Sequence, residues 1–137
     1  MNSIGTKQKR TPNEISKLIL TGAMKVHTAL GPGLLESTYE ACLRQELRLQ
    51  ELDVKTQVAL PVVYEGIKLD IGYRIDMLVE GSVVVEVKSV DGIAPIHQAQ
   101  ILSYLKLSGR GLGLLINFNV VHLKDGIKRF VMGDSWK

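Results

Sequence analysis

Residues 83–88, Val-Val-Val-Glu-Val-Lys, constrain the fold of this chain more than any other stretch. Val83, Val84, Val85 and Val87 form a β-branched run that belongs in a core strand. Yet Glu86 and Lys88 stand inside the run, and Asp76 lies ten positions before the glutamate. Successive side chains of a strand point to opposite faces. Val84, Glu86 and Lys88 therefore share one face, and Val83, Val85 and Val87 the other. In the segment 74–80, Asp76 shares its face with Arg74, Leu78 and Glu80. A turn at Glu80-Gly81 pairs the two strands antiparallel and brings Asp76 close to Glu86.

Two neighbouring carboxylates repel and raise each other's pKa. A divalent cation between them removes that cost, and carboxylate oxygens with water suit a hard ion such as Mg²⁺. Lys88, two residues beyond Glu86 on the same face, can hold an attacking water or stabilise negative charge on a phosphate. The plainer alternative is a solvated Glu86/Lys88 salt bridge worth roughly 0–1 kcal/mol. The valine run and the aspartate on the preceding strand weigh against it. Arg74, on the Asp76 face, is placed to bind a phosphate or to pair with a carboxylate.

The rest of the chain supplies a setting for these strands. Thr11-Pro12-Asn13-Glu14 is a helix start, with a threonine N-cap, a first-turn proline and a capping-box glutamate. Ile15, Leu18, Ile19, Gly22, Val26 and Leu30 recur after it at helical spacing, until Gly31-Pro32-Gly33 interrupts. A second helix is expected over about 34–52, with Leu35, Tyr39, Leu43, Leu47 and Leu49 near one face. Segments 58–66, 67–81 and 82–90 read as a three-strand antiparallel meander. Residues 95–109 read as a helix closed by Gly109, with Ile96, Ile101, Leu102 and Leu105 as packing residues. Residues 112–118 form an apolar strand, and 120–132 a strand or hairpin around Asp125-Gly126. The glycines at 109–113 lack the Lys-Ser/Thr and following helix of a phosphate loop and read as a turn. The order ααβββαββ makes an α/β (α+β) domain.

With 137 residues, 45% of them hydrophobic, the chain can bury one core without staples. The expected division is a flexible basic tail at 1–10 and a single domain over 11–137. Cys42 is the only cysteine, which excludes an internal disulfide and a cysteine-rich zinc site and fits a reducing cytoplasm. No apolar run reaches the roughly 20 residues of a membrane span, and no signal peptide is evident. A net charge of +3 permits a polyanionic partner without indicating one. Aromatic residues are too few for an extended base-stacking platform.

Asp76, then Glu86-Val87-Lys88, then a helix, resembles the D…(D/E)-x-K pattern of the PD-(D/E)XK nuclease superfamily. Ile75 stands where the proline of that name would be. Gly33, Glu36 and Tyr39 match the G-x-x-E-x-x-Y signature of a small subfamily, the GxxExxY proteins. Gln100 and Tyr104 resemble the Q-x-x-x-Y motif of RecB-type members. The resemblance covers nearly the whole chain. It implies a restriction-endonuclease-like αβββαβ core, a central mixed sheet flanked by helices, matching residues 34–119.

What the resemblance implies for chemistry is metal-dependent hydrolysis of phosphodiester bonds in DNA or RNA. Asp76, Glu86 and the backbone carbonyl of Val87 would bind Mg²⁺ or Mn²⁺, with Glu36 joining directly or through water. Lys88 would orient or activate the water, and Gln100 and Tyr104 would position the phosphate or support Lys88. Glu36 is otherwise an ordinary helix glutamate near the positive end of the dipole. Tyr39 reads as a core residue, and Gln100 and Tyr104 could simply cover the sheet. His97 either faces the cleft as a nucleic-acid contact or lies at the surface; His27 and His122 have no convergent partners. The expected partner is nucleic acid, DNA before RNA, with no membrane. A homodimer or partner protein could complete the cleft of so small a domain. The competing function is a catalytically inactive nucleic-acid-binding or assembly module on the same fold.

Overall fold

The computed structural model describes residues 9–137; residues 1–8, which hold most of the expected basic tail, lie outside the described residues. The first helix, α1 (Pro12–Leu30), opens with the expected reciprocal cap. Glu14 donates its amide to Thr11 Oγ1 at 3.1 Å, and the Thr11 amide donates to Glu14 Oε1 at 2.9 Å. Gly31, at φ 67°, ends it in a conformation that disfavours any side chain. The second helix, α2, is shorter than expected, Glu36–Leu49. Its buried stripe is Tyr39, Leu43 and Leu47, spaced by four, while Leu35 and Leu49 are exposed. Both lie at the helix ends, outside the stripe that faces the sheet.

Five strands form the main sheet in the order β1 (Val54–Ala59), β4 (Arg74–Val79), β5 (Val83–Lys88), β6 (Leu112–Asn117), β7 (Ile127–Val131). The pairing of β5 with β6 is parallel, and α3 (Pro95–Ser108) makes the crossover that a parallel pair requires. The other pairings are antiparallel. Helices cover both faces. Val83, Val85 and Val87 join the cluster built with Ile15, Ile19 and Leu43 of α1 and α2. Val84 joins the opposite cluster with Ile101 and Leu105 of α3. A central strand buried on both faces cannot alternate apolar and polar, which explains the continuous valine run.

The expected meander is corrected in one respect. Residues 62–64 and 67–69 form a separate two-strand hairpin, β2 and β3, closed by Glu65-Gly66 with positive φ at both positions. That pair is the signature of a tight hairpin turn, and it folds the chain back locally before it can join the main sheet. The main sheet therefore pairs β1 directly with β4, and the hairpin projects between them in sequence. The last segment is also corrected. Leu123–Gly126 is a turn of 3₁₀ helix, and only Ile127–Val131 is strand. Gly126 is needed there for close approach, because a Cβ would strike the Asn117 carbonyl oxygen. On α3, Ile101, Tyr104 and Leu105 are buried, whereas Ile96 and Leu102 are exposed. No described helix is long and apolar enough to cross a membrane.

Candidate active site

The β4–β5 ladder pairs Val79 with Val83, Leu78 with Val84 and Met77 with Val85, and then stops. The next opposed pair would be Asp76 and Glu86. Here the side chains replace the backbone partners. The Asp76 amide donates to Glu86 Oε2 at 2.9 Å, and the Val87 amide donates to Asp76 Oδ2 at 2.9 Å. Beyond this point β5 continues with β6, through Lys88 against Asn117. The other neighbour of β4 also breaks here. Thr56 pairs with Met77 and Val58 with Ile75, but Gln57, at φ 51°, has no partner in the ladder opposite Asp76. Asp76 thus sits where both adjoining ladders are interrupted, a placement that leaves amides for carboxylates to accept.

The two acids are costly as placed. Glu86 is only 3% exposed. Burial first, then the charge of Asp76, pushes its carboxyl from 4.5 up to about 8, against the pull of the Asp76 amide and Lys88. Burial raises Asp76 as well; the Val87 amide opposes this, and the negative charges of Glu40 and Glu36 add to it. Raised proton affinity in both carboxylates marks a site short of positive charge.

Lys88 is the cation that bears on both acids. Its ammonium donates to Gln100 Oε1 at 3.4 Å, and Gln100 Nε2 donates to the Tyr104 hydroxyl at 3.2 Å. Gln100 and Tyr104 are one turn apart on α3, so one helix face holds the lysine. Burial, followed by the charge of Glu86, raises the Tyr104 phenol.

Glu36, the first residue of α2, accepts the Ser89 amide at 3.4 Å, and Ser89 Oγ donates to the Leu34 carbonyl at 2.6 Å. The start of α2 is thereby tied to the residue after Lys88. Tyr39 is structural. Its hydroxyl donates to the Gly31 carbonyl at 2.6 Å and accepts the Leu34 amide at 3.1 Å, and its ring stacks on Phe118 at 4.6 Å. Arg74 does not engage the acid pair; it donates to Asp70 Oδ1 at 3.3 Å and to the Tyr73 carbonyl. His97 Nδ1 accepts the Ala94 amide at 3.0 Å and caps α3, while the ring lines a cavity next to Lys88.

Three residues here were not singled out from the sequence. Glu40, one turn after Glu36, bears on both site acids, and Gln57 Nε2 donates to its Oε1 at 3.1 Å. The i,i+4 spacing of the two glutamates was the available signal. Asn117, 1% exposed at the end of an apolar strand, holds Val90 by both its amide and its carbonyl, at 3.0 and 2.9 Å. A lone amide closing an apolar strand was its signal. For Gln57 there was none, since its strain comes from the tertiary pairing.

Among the described residues, no three His, Cys, Asp or Glu side chains stand close enough to enclose a metal ion. Asp76 and Glu86 nonetheless fit Mg²⁺, which is held by one or two carboxylates and otherwise by water and substrate phosphate. Each keeps one carboxylate oxygen outside the hydrogen bonds above. A family model described as the PD-(D/E)XK nuclease superfamily matches residues 13–130. No curated protein and no solved structure gives a significant match.

Proposed function

Because the chain belongs to the PD-(D/E)XK nuclease superfamily, we propose that it hydrolyses phosphodiester bonds in nucleic acid, DNA before RNA, with Mg²⁺ or Mn²⁺ as cofactor. The observation that carries this reading is the pair of buried Glu86 and half-buried Asp76, short of positive charge, with Lys88 two residues beyond Glu86 on the same strand. Asp76, Glu86 and the Val87 carbonyl are the residues that would hold the cation, with Glu36 in reach of the same region through its tie to Ser89. A bound divalent cation would supply Lewis acidity, polarising the phosphate and lowering the pKa of a coordinated water.

Lys88 then has two tasks. It orients the attacking water and screens the negative charge that grows on the phosphate oxygens. Gln100 fixes the ammonium, and Tyr104 fixes Gln100. In the hydrolysis a water oxygen bonds to phosphorus, one bridging P–O bond breaks, and the departing oxygen takes up a proton. Arg74 and His97 flank this centre as nucleic-acid contacts. Assignment to the GxxExxY group is part of the same proposal and rests on Gly33, Glu36 and Tyr39.

The test is cleavage of labelled single- and double-stranded DNA and RNA with Mg²⁺, Mn²⁺ or EDTA. Wild type is expected to cleave only with metal, and Lys88→Ala to lose at least about a hundredfold in rate, the lower range for a positioned proton-transfer or charge-stabilising group. Metal-dependent cleavage that survives Lys88→Ala unchanged overturns the assignment.

A further inference from the structure

On the α3 side of the sheet, beside Lys88, lies a cavity of about 540 Å³. Lys88, Gln100 and Tyr104 form part of its lining, so it opens directly onto the proposed chemistry. Tyr73, from the segment between β3 and β4, and His97 and Ser103, from α3, complete the side that matters here. The volume lies in the range of a site for one small ligand.

The lining has the features of a base pocket. Tyr73 is 45% exposed and lines the cavity together with Lys88. Its ring lies 6.3 Å from that of Tyr104 at 60°, so the two rings form an angled wall and not a closed stack. Because His97 Nδ1 accepts the Ala94 amide, the neutral ring carries its proton on Nε2 and presents a donor. The Ser103 hydroxyl both donates and accepts. An aromatic face with a few hydrogen-bonding groups matches a nucleobase, whose faces stack and whose edges pair. A base within a duplex has both faces stacked and its edge paired, and must leave the helix to enter such a cavity. An unpaired base needs no such step.

We propose that this cavity is a subsite for one unpaired base adjoining the scissile phosphate, so that the substrate is single-stranded nucleic acid or a single-stranded overhang. The base stacks on Tyr73, and its edge meets His97 and Ser103. This rests on the nuclease reading above.

The test measures binding of short labelled oligonucleotides, DNA and RNA, as single strands, blunt duplexes and duplexes with overhangs. It is run in EDTA and in Ca²⁺, and cleavage of the same set is followed in Mn²⁺. Single strands and overhangs are expected to bind at least about tenfold more tightly than blunt duplex. Tyr73→Ala is expected to weaken single-strand binding roughly five- to a hundredfold, the range for stacking one base on an aromatic ring. Tyr73→Phe retains binding, and Leu107→Trp, which fills the cavity from α3, weakens it. Equal binding of blunt duplex, indifference to Tyr73→Ala, or no binding in either buffer overturns the subsite. Cleavage of blunt duplex alike by wild type and Tyr73→Ala would sink the subsite and leave the nuclease reading standing. Single-strand binding that depends on Tyr73, without cleavage in Mn²⁺, would do the reverse.

Discussion

At the scale of single residues, the acid pair sets a measurable pH signature. Glu86 has its carboxyl raised from 4.5 to about 8 in the folded protein, and Asp76 is raised in the same direction. A folded state with raised carboxyl pKa values binds more protons than the unfolded chain. The stability this confers is fully present below about 4.5 and is lost as pH rises through about 8. The metal-free protein should therefore melt at progressively lower temperature from pH 5 to pH 8, by several degrees. Glu86→Gln, which keeps an oxygen to accept the Asp76 amide, should flatten that slope; an unchanged slope in the variant would show that Glu86 is not its source. Glu40→Gln keeps an acceptor for Gln57 but removes a repelling charge. It should raise the metal-free melting point at pH 8 and weaken Mn²⁺ binding, both readable in one calorimetric series. A lower melting point would show that Glu40 stabilises the pair instead of opposing it.

Elements hold these residues by interruption as much as by regularity. The β4–β5 ladder ends one pair before Asp76 and Glu86, and β1 loses its own pairing at Gln57. Parallel pairing with β6 carries β5 onward alone, and beyond Ser89, which is tied to the start of α2, Asn117 fastens the chain at Val90. That side chain accepts the amides of Val90 and Asn119 and donates to the Val90 carbonyl. Asn117→Ala leaves the Val90 and Asn119 amides unpaired, at about 1–3 kcal/mol each, while the Val90 carbonyl keeps the Asn119 side-chain amide at 3.3 Å, so destabilisation on the order of 3 kcal/mol is expected by denaturant titration. Cleavage should fall further than the loss of folded protein explains, because Lys88 is one residue from Ser89 and two from Val90. A variant as stable as wild type would remove Asn117 from the account.

At the scale of the whole molecule, two helical layers seal the central strand and leave its splayed end as the place where charge collects. A cation bound there stabilises only the folded chain, by RT ln(1 + [L]/Kd), or about 2.7 kcal/mol at a hundred times Kd. Titrating Mn²⁺ should raise the melting temperature by several degrees, more at pH 8 than at pH 6, since protons and metal compete for the same carboxylates. Asp76→Asn with Glu86→Gln should abolish the shift. A shift that persists in the double variant would place the ion elsewhere.

The sequence by itself determined the parts that depend on local periodicity. The Thr11–Glu14 cap, the alternation that puts Glu86 and Lys88 on one face, and the turn at Glu80-Gly81 all follow from neighbours within a few positions, and the structure keeps them. The approach of Asp76 to Glu86 was legible for the same reason: a short turn fixes register. Only the tertiary structure decided that the strand run at 67–79 divides, its first part pairing with β2 and its second with β1. The tertiary structure also brought Glu40 to the acids, bent Gln57 to φ 51°, and set Asn117 against Val90 across 27 residues of chain. Those contacts join segments far apart in sequence, and burial in a shared core, not any local pattern, is what selects them.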